Sequence, residues 1–170
     1  MATARLAVDL TVAVDHGQFY AYDPAVFDAP DAAGHYEAAV ADAIGSRRFV
    51  GTSGGLLAVI TPGQWGDDTP VHVAVRDAPA DPGDVADHVV DLDLDVPTGV
   101  LAFESTGGPA GDVTGIPPGR YRVRVAGRGF TAVGGIAAGG GDAYRLTLWP
   151  RDVDTPPVVR RAWPGWADHR

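Results

Sequence analysis

The sequence contains no cysteine and no lysine, and its only methionine is Met1. Without cysteine there is neither a disulfide framework, nor thiolate catalysis, nor a cysteine-ligated zinc site. Without lysine, the usual phosphate-binding loop is excluded. The sequence also lacks a run of roughly 20 apolar residues that could span a membrane, and Arg5 and Asp9 interrupt the first apolar run too early for a secretory signal. We therefore expect a cytoplasmic protein that does not associate with a membrane.

Glycine and proline are abundant, with 23 and 14 residues, while apolar residues make up 45% of the chain. This composition is typical of short strands joined by many turns rather than of a disordered chain. A chain of 170 residues is also long enough to bury a core without help from metals or disulfides. The composition therefore indicates a folded protein of one domain.

Alternation of apolar and polar residues recurs along the chain and predicts half-buried strands. The segments with this pattern, or with a short apolar run between turn residues, are 5–14, 18–22, 56–60, 71–75, 88–96, 99–104, 120–126 and 144–149. Only residues 35–44 place apolar side chains at spacings of three and four, which predicts one short helix ending at Gly45. The strand–helix alternation of a parallel sheet is absent. The sequence thus predicts an all-β protein, an antiparallel β-sandwich of about eight short strands with one short helix.

The last residues differ in composition from the rest of the chain. We expect a β-sandwich domain over residues 1–155 and a C-terminal tail over 156–170 that contains arginine, tryptophan and proline. This tail either docks on the domain as an extended strap or forms a mobile end. Its two tryptophans, Trp163 and Trp166, favour docking, since large aromatic side chains gain most from burial.

The net charge of −9 conceals a division along the chain. Residues 1–112 hold 18 acidic residues and four arginines, whereas residues 113–170 hold four acidic residues and nine arginines. Binding to nucleic acid depends on neutralising phosphates with basic side chains, so the acidic balance argues against nucleic acid as a direct ligand. A basic protein partner suits this charge better.

Two of the predicted strands carry charged ladders, because successive side chains of a strand point to opposite faces. One ladder consists of Asp91, Asp93 and Asp95, and the other of Arg120, Arg122 and Arg124. Two arrangements are open at this point. Either the strands are neighbours and the ladders pair with each other, or the strands lie apart and the carboxylates face a basic partner.

Motifs that could carry catalysis or bind a metal do not have the context they need. The segment 51–55 matches the G-x-S-x-G pattern, but a strand rather than a helix follows Ser53. Asp91 begins a partial EF-hand pattern, but Val96 and Ala102 occupy the positions that require glycine and glutamate. The five histidines show no metal-ligand spacing. We therefore expect no enzyme activity, no metal site and no cofactor.

A few segments resemble the competence protein J family, the inhibitors of bacterial DNA-entry nucleases. The order His16-Gly17-Gln18-Phe19 after the first strand is similar to that family's His-x-Gln-Phe segment, and Pro118-Gly119-x-Tyr121 is similar to its Pro-x-Gly-x-Tyr segment. Trp149-Pro150 after the last strand extends the resemblance. The resemblance implies a small cytoplasmic protein that binds and blocks a nuclease or a related toxin. The basic tail with its tryptophans departs from the family pattern.

The leading hypothesis is an inhibitor or immunity-type protein that covers a basic nuclease or toxin with an acidic surface. The expected partner-binding residues are Asp77, Asp81, Asp84, Asp87, Asp91, Asp93 and Asp95. Two alternatives remain. The first is a sandwich-type module that binds sugar or peptide through exposed aromatic residues, with Tyr20, Tyr22, Trp65 and Trp149 as candidates. The second is a self-assembling protein, a homo-oligomer in which the acidic body of one copy contacts the basic tail of the next.

Overall fold

The computed structural model describes residues 4–79, 81, 83, 85–133 and 141–169, apart from the side chain of Asp67. This part of the chain contains eleven strands: β1 Ala4–Asp15, β2 Gln18–Tyr22, β3 Val50–Ser53, β4 Leu56–Ile60, β5 Trp65–Arg76, β6 His88–Val96, β7 Leu101–Ser105, β8 Gly108–Val113, β9 Gly119–Arg128, β10 Ala143–Pro150 and β11 Val158–Arg161. It also contains one α-helix, α1 His35–Gly45, and three 3-10 helices, Pro24–Asp28, Ala32–Gly34 and Pro164–Asp168. No helix in these ranges combines the length and the apolarity that crossing a membrane requires.

The strands form a single curled sheet in the order β11-β6-β9-β10-β5-β1-β2-β4-β3, with β7 on β2 and β8 on β7. The all-β class and the short helix are confirmed. The antiparallel sandwich is corrected, because there is one sheet and it is mixed: β10 runs parallel to β5, from Tyr144 opposite Val71 to Leu148 opposite Val75. Alternation has the same period in parallel and antiparallel strands, so the pattern that identified the strands carried no information on their direction.

The main core lies on one side of this sheet, which we call the inner face. Alternate residues of the central strands project there, as in Val90, Leu92 and Leu94 of β6, all fully buried. Tyr121 at the start of β9 also points inward and donates its hydroxyl to the carbonyl of Pro117, as the tyrosine corner of many β-proteins does. The opposite, outer face carries the charged ladders.

Helix α1 packs against β3 and β4 through its smallest side chains. Ala39 and Ala43 are fully buried, and a Cβ placed on Gly51 of β3 would overlap the carbonyl oxygen of Ala39 and the amide nitrogen of Ala43. Glycine is therefore required at residue 51 for the helix to approach the strand this closely. The segment that resembles a nucleophile elbow is instead a helix-packing strand, and Gly54-Gly55 form its turn.

The tail packs on the body, as its tryptophans favour. Strand β11 runs antiparallel to β6 at one edge of the sheet. Trp166 is 4% exposed and stacks on Phe49, with 4.0 Å between ring centroids. The Nη2 of Arg47 donates to the carbonyl of Trp166 at 2.7 Å. The boundary placed after residue 155 stays a prediction.

Candidate functional site

The two charged ladders lie on neighbouring strands of the outer face. Strand β6 is antiparallel to β9, and the opposed pairs are Asp91 with Arg124, Asp93 with Arg122, and Asp95 with Arg120. Of the two arrangements that the sequence left open, the structure has the one in which the ladders pair. The carboxylates of β6 are therefore neutralised within the chain.

Asp91 is the most deeply buried of these carboxylates, at 1% exposure. Its Oδ1 accepts from Nε of Arg124 at 2.7 Å, and its Oδ2 accepts from Nη2 of Arg124 at 2.8 Å and from Nε of Arg160 at 2.9 Å. Burial alone would raise the pKa of Asp91, but the hydrogen bonds from the two arginines outweigh burial and lower the pKa. Arg160 belongs to β11, so this carboxylate also holds the tail.

Asp93 and Asp95 share Arg151, an arginine outside the ladders. Asp93 accepts from Nη1 of Arg122 at 2.8 Å and from the backbone amide of Thr155 at 2.9 Å. Arg151, whose side chain is largely buried, lies 3.4 Å from Asp93 and 2.6 Å from Asp95. Asp95 keeps half of its side chain exposed. Of the three ladder carboxylates, Asp95 is thus the one most open to another molecule.

The acidic segment that follows β5 makes local contacts. Asp77 forms an ion pair with Arg5, Asp81 accepts from the amide of Gly83 at 2.9 Å, and Asp87 accepts from the amide of Phe130 at 3.0 Å. Asp84 lies outside the described residues. Asp81 is exposed and makes no salt bridge within the described part of the chain, although its charge attracts Arg124, whereas Asp77 and Asp87 are already engaged.

A second carboxylate site, which sequence reasoning missed, surrounds Glu104 of β7. One oxygen, Oε2, accepts from the hydroxyls of Tyr22 and of Tyr36, the latter at 2.9 Å. Phe27 packs edge-on against Tyr22 at 5.0 Å between ring centroids and stacks on Tyr36 at 5.8 Å, yet remains 41% exposed. We call Phe27, Tyr36 and Glu104 the Phe27 patch.

The charge of the Phe27 patch is negative and is not balanced by arginine. Burial, together with the Glu104 carboxylate, raises the pKa of Tyr22, and the same causes raise the pKa of Tyr36 to about 12, so both hydroxyls stay protonated and donate to Glu104. Among the described residues, neither Asp28 nor Glu37, which adjoin the patch in sequence, has an ion-pair partner, and both are exposed. The Phe27 patch thus combines an exposed aromatic ring with carboxylates that have no arginine partner among the described residues.

The aromatic residues considered for a sugar- or peptide-binding row do not form one. Tyr20 and Tyr22 are buried, Trp149 lies beneath the guanidinium of Arg124 at 5.5 Å, and Trp65 is exposed beside His16 in the turn between β1 and β2. The described residues contain no group of three or more histidine, aspartate or glutamate side chains that could hold a metal ion.

The comparisons with known proteins bear on the fold. No protein-family model matches this sequence, and no curated protein matches it. The structure is similar to that of ComJ from Bacillus subtilis, an inhibitor of the DNA degrading activity of NucA, with a TM-score of 0.53 and 14% identity over 89% of this chain and 99% of ComJ. It is also similar to crocagin biosynthetic gene J, with a TM-score of 0.56 and 20% identity over 88% of this chain and 100% of that one. The resemblance to the competence protein J family is thus confirmed, and at these identities the likeness shows the fold.

Proposed function

We propose that this protein is a non-catalytic inhibitor that binds a DNA-degrading nuclease and blocks its substrate cleft. The observation that carries the proposal is the likeness to ComJ, which extends over nearly the whole of both chains. ComJ inhibits the DNA degrading activity of NucA. The likeness supports the same class of action for this chain, whose own target is part of the proposal.

The charge of the chain supports this proposal physically. A nuclease must be basic where it binds DNA, so a protein that presents carboxylates can occupy that cleft in place of phosphates. Such attraction mainly accelerates association, and added salt weakens it. A net charge of −9 is of the sign that this mechanism requires.

The contact surface in our proposal is centred on the Phe27 patch. Interface energy concentrates in a few aromatic residues that are buried on binding, with charged groups around them. Phe27 is the exposed ring, and Glu104, Asp28 and Glu37 supply carboxylates that have no arginine partner among the described residues. The seven aspartates expected from the sequence stay a prediction; of those described, Asp77, Asp81 and Asp95 are exposed.

The test is inhibition of a DNA-degrading nuclease from the same organism, followed with fluorescent duplex DNA. We expect activity to fall to zero at one chain per nuclease, and the inhibition constant to be larger at roughly 0.5 M than at roughly 0.05 M salt. Phe27→Ala and Glu104→Gln should each raise the inhibition constant about tenfold, as loss of a central interface residue does. Trp65→Ala, which also removes an exposed ring, is the matched control and should change it less than about twofold.

A further inference from the structure

A cleft of about 720 Å³ opens on the outer face of the sheet, away from the Phe27 patch. Its floor is formed by β1, β5, β9 and β10, and the segment before β6 forms one wall. The residues that matter for its chemistry are Asp9, His72, Val85, Ala126, Arg128 and Arg145. Its volume lies within the range of small-molecule sites.

Two arginines of this cleft have no interaction partner among the described residues, unlike the other described arginines of the chain. Arg128 and Arg145 are exposed, and neither makes a hydrogen bond, an ion pair or a ring contact with any described residue. Each of the other described arginines has an interaction partner, such as the carboxylates of Asp42 for Arg48 and of Asp91 for Arg124. Two unneutralised cations therefore lie in one concavity of an acidic protein.

The strand register explains why Arg145 has no carboxylate partner among the described residues. On the outer face the row through Arg145 runs from Val89 of β6 through Ala126 of β9 to Arg145, then to His72 of β5 and Asp9 of β1. In the neighbouring row, β6 supplies the carboxylate of Asp91 opposite Arg124. In the row of Arg145, β6 supplies the apolar Val89 instead. Asp9 is the carboxylate of the row, and it is already bound to Nδ1 of His72 at 2.6 Å.

The two arginines lie close enough to act on one ligand. Arg128 opposes Ala143, and Arg145 opposes Ala126, so the arginines occupy diagonal positions on neighbouring strands with their side chains on the same face. Diagonal positions are about 7–8 Å apart between Cα atoms, within reach of two long side chains. Opposite each arginine stands an alanine, which leaves room above the sheet. Val85 supplies an apolar surface at the rim, at 70% exposure.

From this arrangement we propose that the cleft binds a small organic anion, a carboxylate or a phosphate monoester, held by Arg128 and Arg145 with its apolar body against Val85. Guanidinium groups donate in a fixed fork that matches the two oxygens of either anion. The apolar rim excludes water from one side of the ion pairs, which strengthens them relative to pairs in open solvent. This site is separate from the surface through which the protein is proposed to bind a nuclease.

The experiment titrates phenyl phosphate and benzoate into the full chain and follows backbone amide shifts by NMR, with benzyl alcohol as the uncharged control. We expect a Kd of about 1 mM or lower for at least one anion, with the largest shifts in β9 and β10 around residues 126–128 and 143–145. Arg128→Gln and Arg145→Gln should each raise the Kd about tenfold. Arg120→Gln, an exposed arginine of β9 that pairs with Asp154, is the matched control and should stay within about twofold.

The relative affinities for phenyl phosphate and benzoate identify the chemical class of the anion. Tighter binding of phenyl phosphate that depends on both arginines supports a phosphate monoester, and equal or tighter binding of benzoate supports a carboxylate. Two results would overturn the proposal: shifts as large with benzyl alcohol as with the anions, or a Kd that Arg145→Gln and Arg120→Gln change equally. Because all these side chains are exposed, the variants should keep the wild-type circular dichroism spectrum. No nuclease enters the assay, so its outcome is independent of the proposed inhibitory function.

Discussion

Replacing Asp91 with asparagine should destabilise the fold much more than the same replacement at Asp95. The carboxylate is 1% exposed and accepts three hydrogen bonds from Arg124 and Arg160. Asparagine has almost the same shape but no charge, so Arg124, whose side chain is 14% exposed, would keep its positive charge next to a neutral side chain. Arg160 is half exposed and can turn to water.

The size of the expected loss of stability follows from this difference in burial between Arg124 and Arg160. Removing one partner of a buried ion pair costs about 3–5 kcal/mol, and only one of the two arginines stays buried after the change, so we expect about 3 kcal/mol. For a chain of this size, about 2–4 °C of melting temperature corresponds to each kcal/mol, which gives a fall of roughly 6–12 °C. The pKa of Asp91 is lowered in the folded state, so its stabilisation is present above its ordinary pKa and is lost as the pH falls below that value.

The assay is urea unfolding of wild type and variant at pH 7 and again near pH 3. Asp95→Asn is the matched control, because Asp95 lies on the same strand but is 51% exposed and, among the described residues, pairs only with Arg151. After discounting for solvent screening, that change should cost about 0.2–1 kcal/mol. A free energy of unfolding for Asp91→Asn within about 1 kcal/mol of wild type at pH 7 would refute the paired-ladder reasoning. The difference in free energy of unfolding between wild type and Asp91→Asn should also be smaller near pH 3 than at pH 7.

Three further changes test other parts of the fold. Trp166→Ala removes the ring that stacks on Phe49 and should lower the free energy of unfolding by about 3–5 kcal/mol, whereas Trp65→Ala on the exposed surface should stay within about 0.5 kcal/mol. Burial lowers the pKa of His88, so the folded state favours the neutral ring, and the stability of the wild type should fall as the pH drops below 6.5. Between pH 7.5 and 5.5, the urea midpoint of His88→Gln should therefore fall less than that of the wild type. Gly51→Ala should force α1 away from β3 and lower the melting temperature by several degrees, with about 1–3 kcal/mol expected from overpacking.

Local patterns in the sequence predicted the elements better than their arrangement. The helix at residues 35–44 and the main strands follow from the periodicity of apolar residues, which reports burial directly. Strands β3, β8 and β11 were missed, because segments such as Gly108–Val113 contain glycine and proline and little alternation. The parallel pairing of β5 with β10 was also missed, since it joins segments about 70 residues apart whose patterns do not encode a neighbour.

The same limit applies to the functional surfaces. The alternation in β6 and β9 placed the charges on one face of each strand, but whether they meet depended on register across the sheet. Glu104 meets Tyr22 and Tyr36 from positions 82 and 68 residues away, so no spacing in the sequence could indicate the Phe27 patch. Its one local signal was a single glutamate at the end of an apolar strand.

The measurement that tests our central claim most directly is the nuclease activity that remains as the chain is titrated against a fixed amount of a DNA-degrading nuclease from the same organism, with DNA in excess. Our account predicts a linear fall that reaches zero at one chain per nuclease, with the end point unchanged for Trp65→Ala and displaced to higher chain concentrations for Phe27→Ala. Undiminished DNA degradation at a large molar excess of the wild-type chain, in low salt, would contradict it.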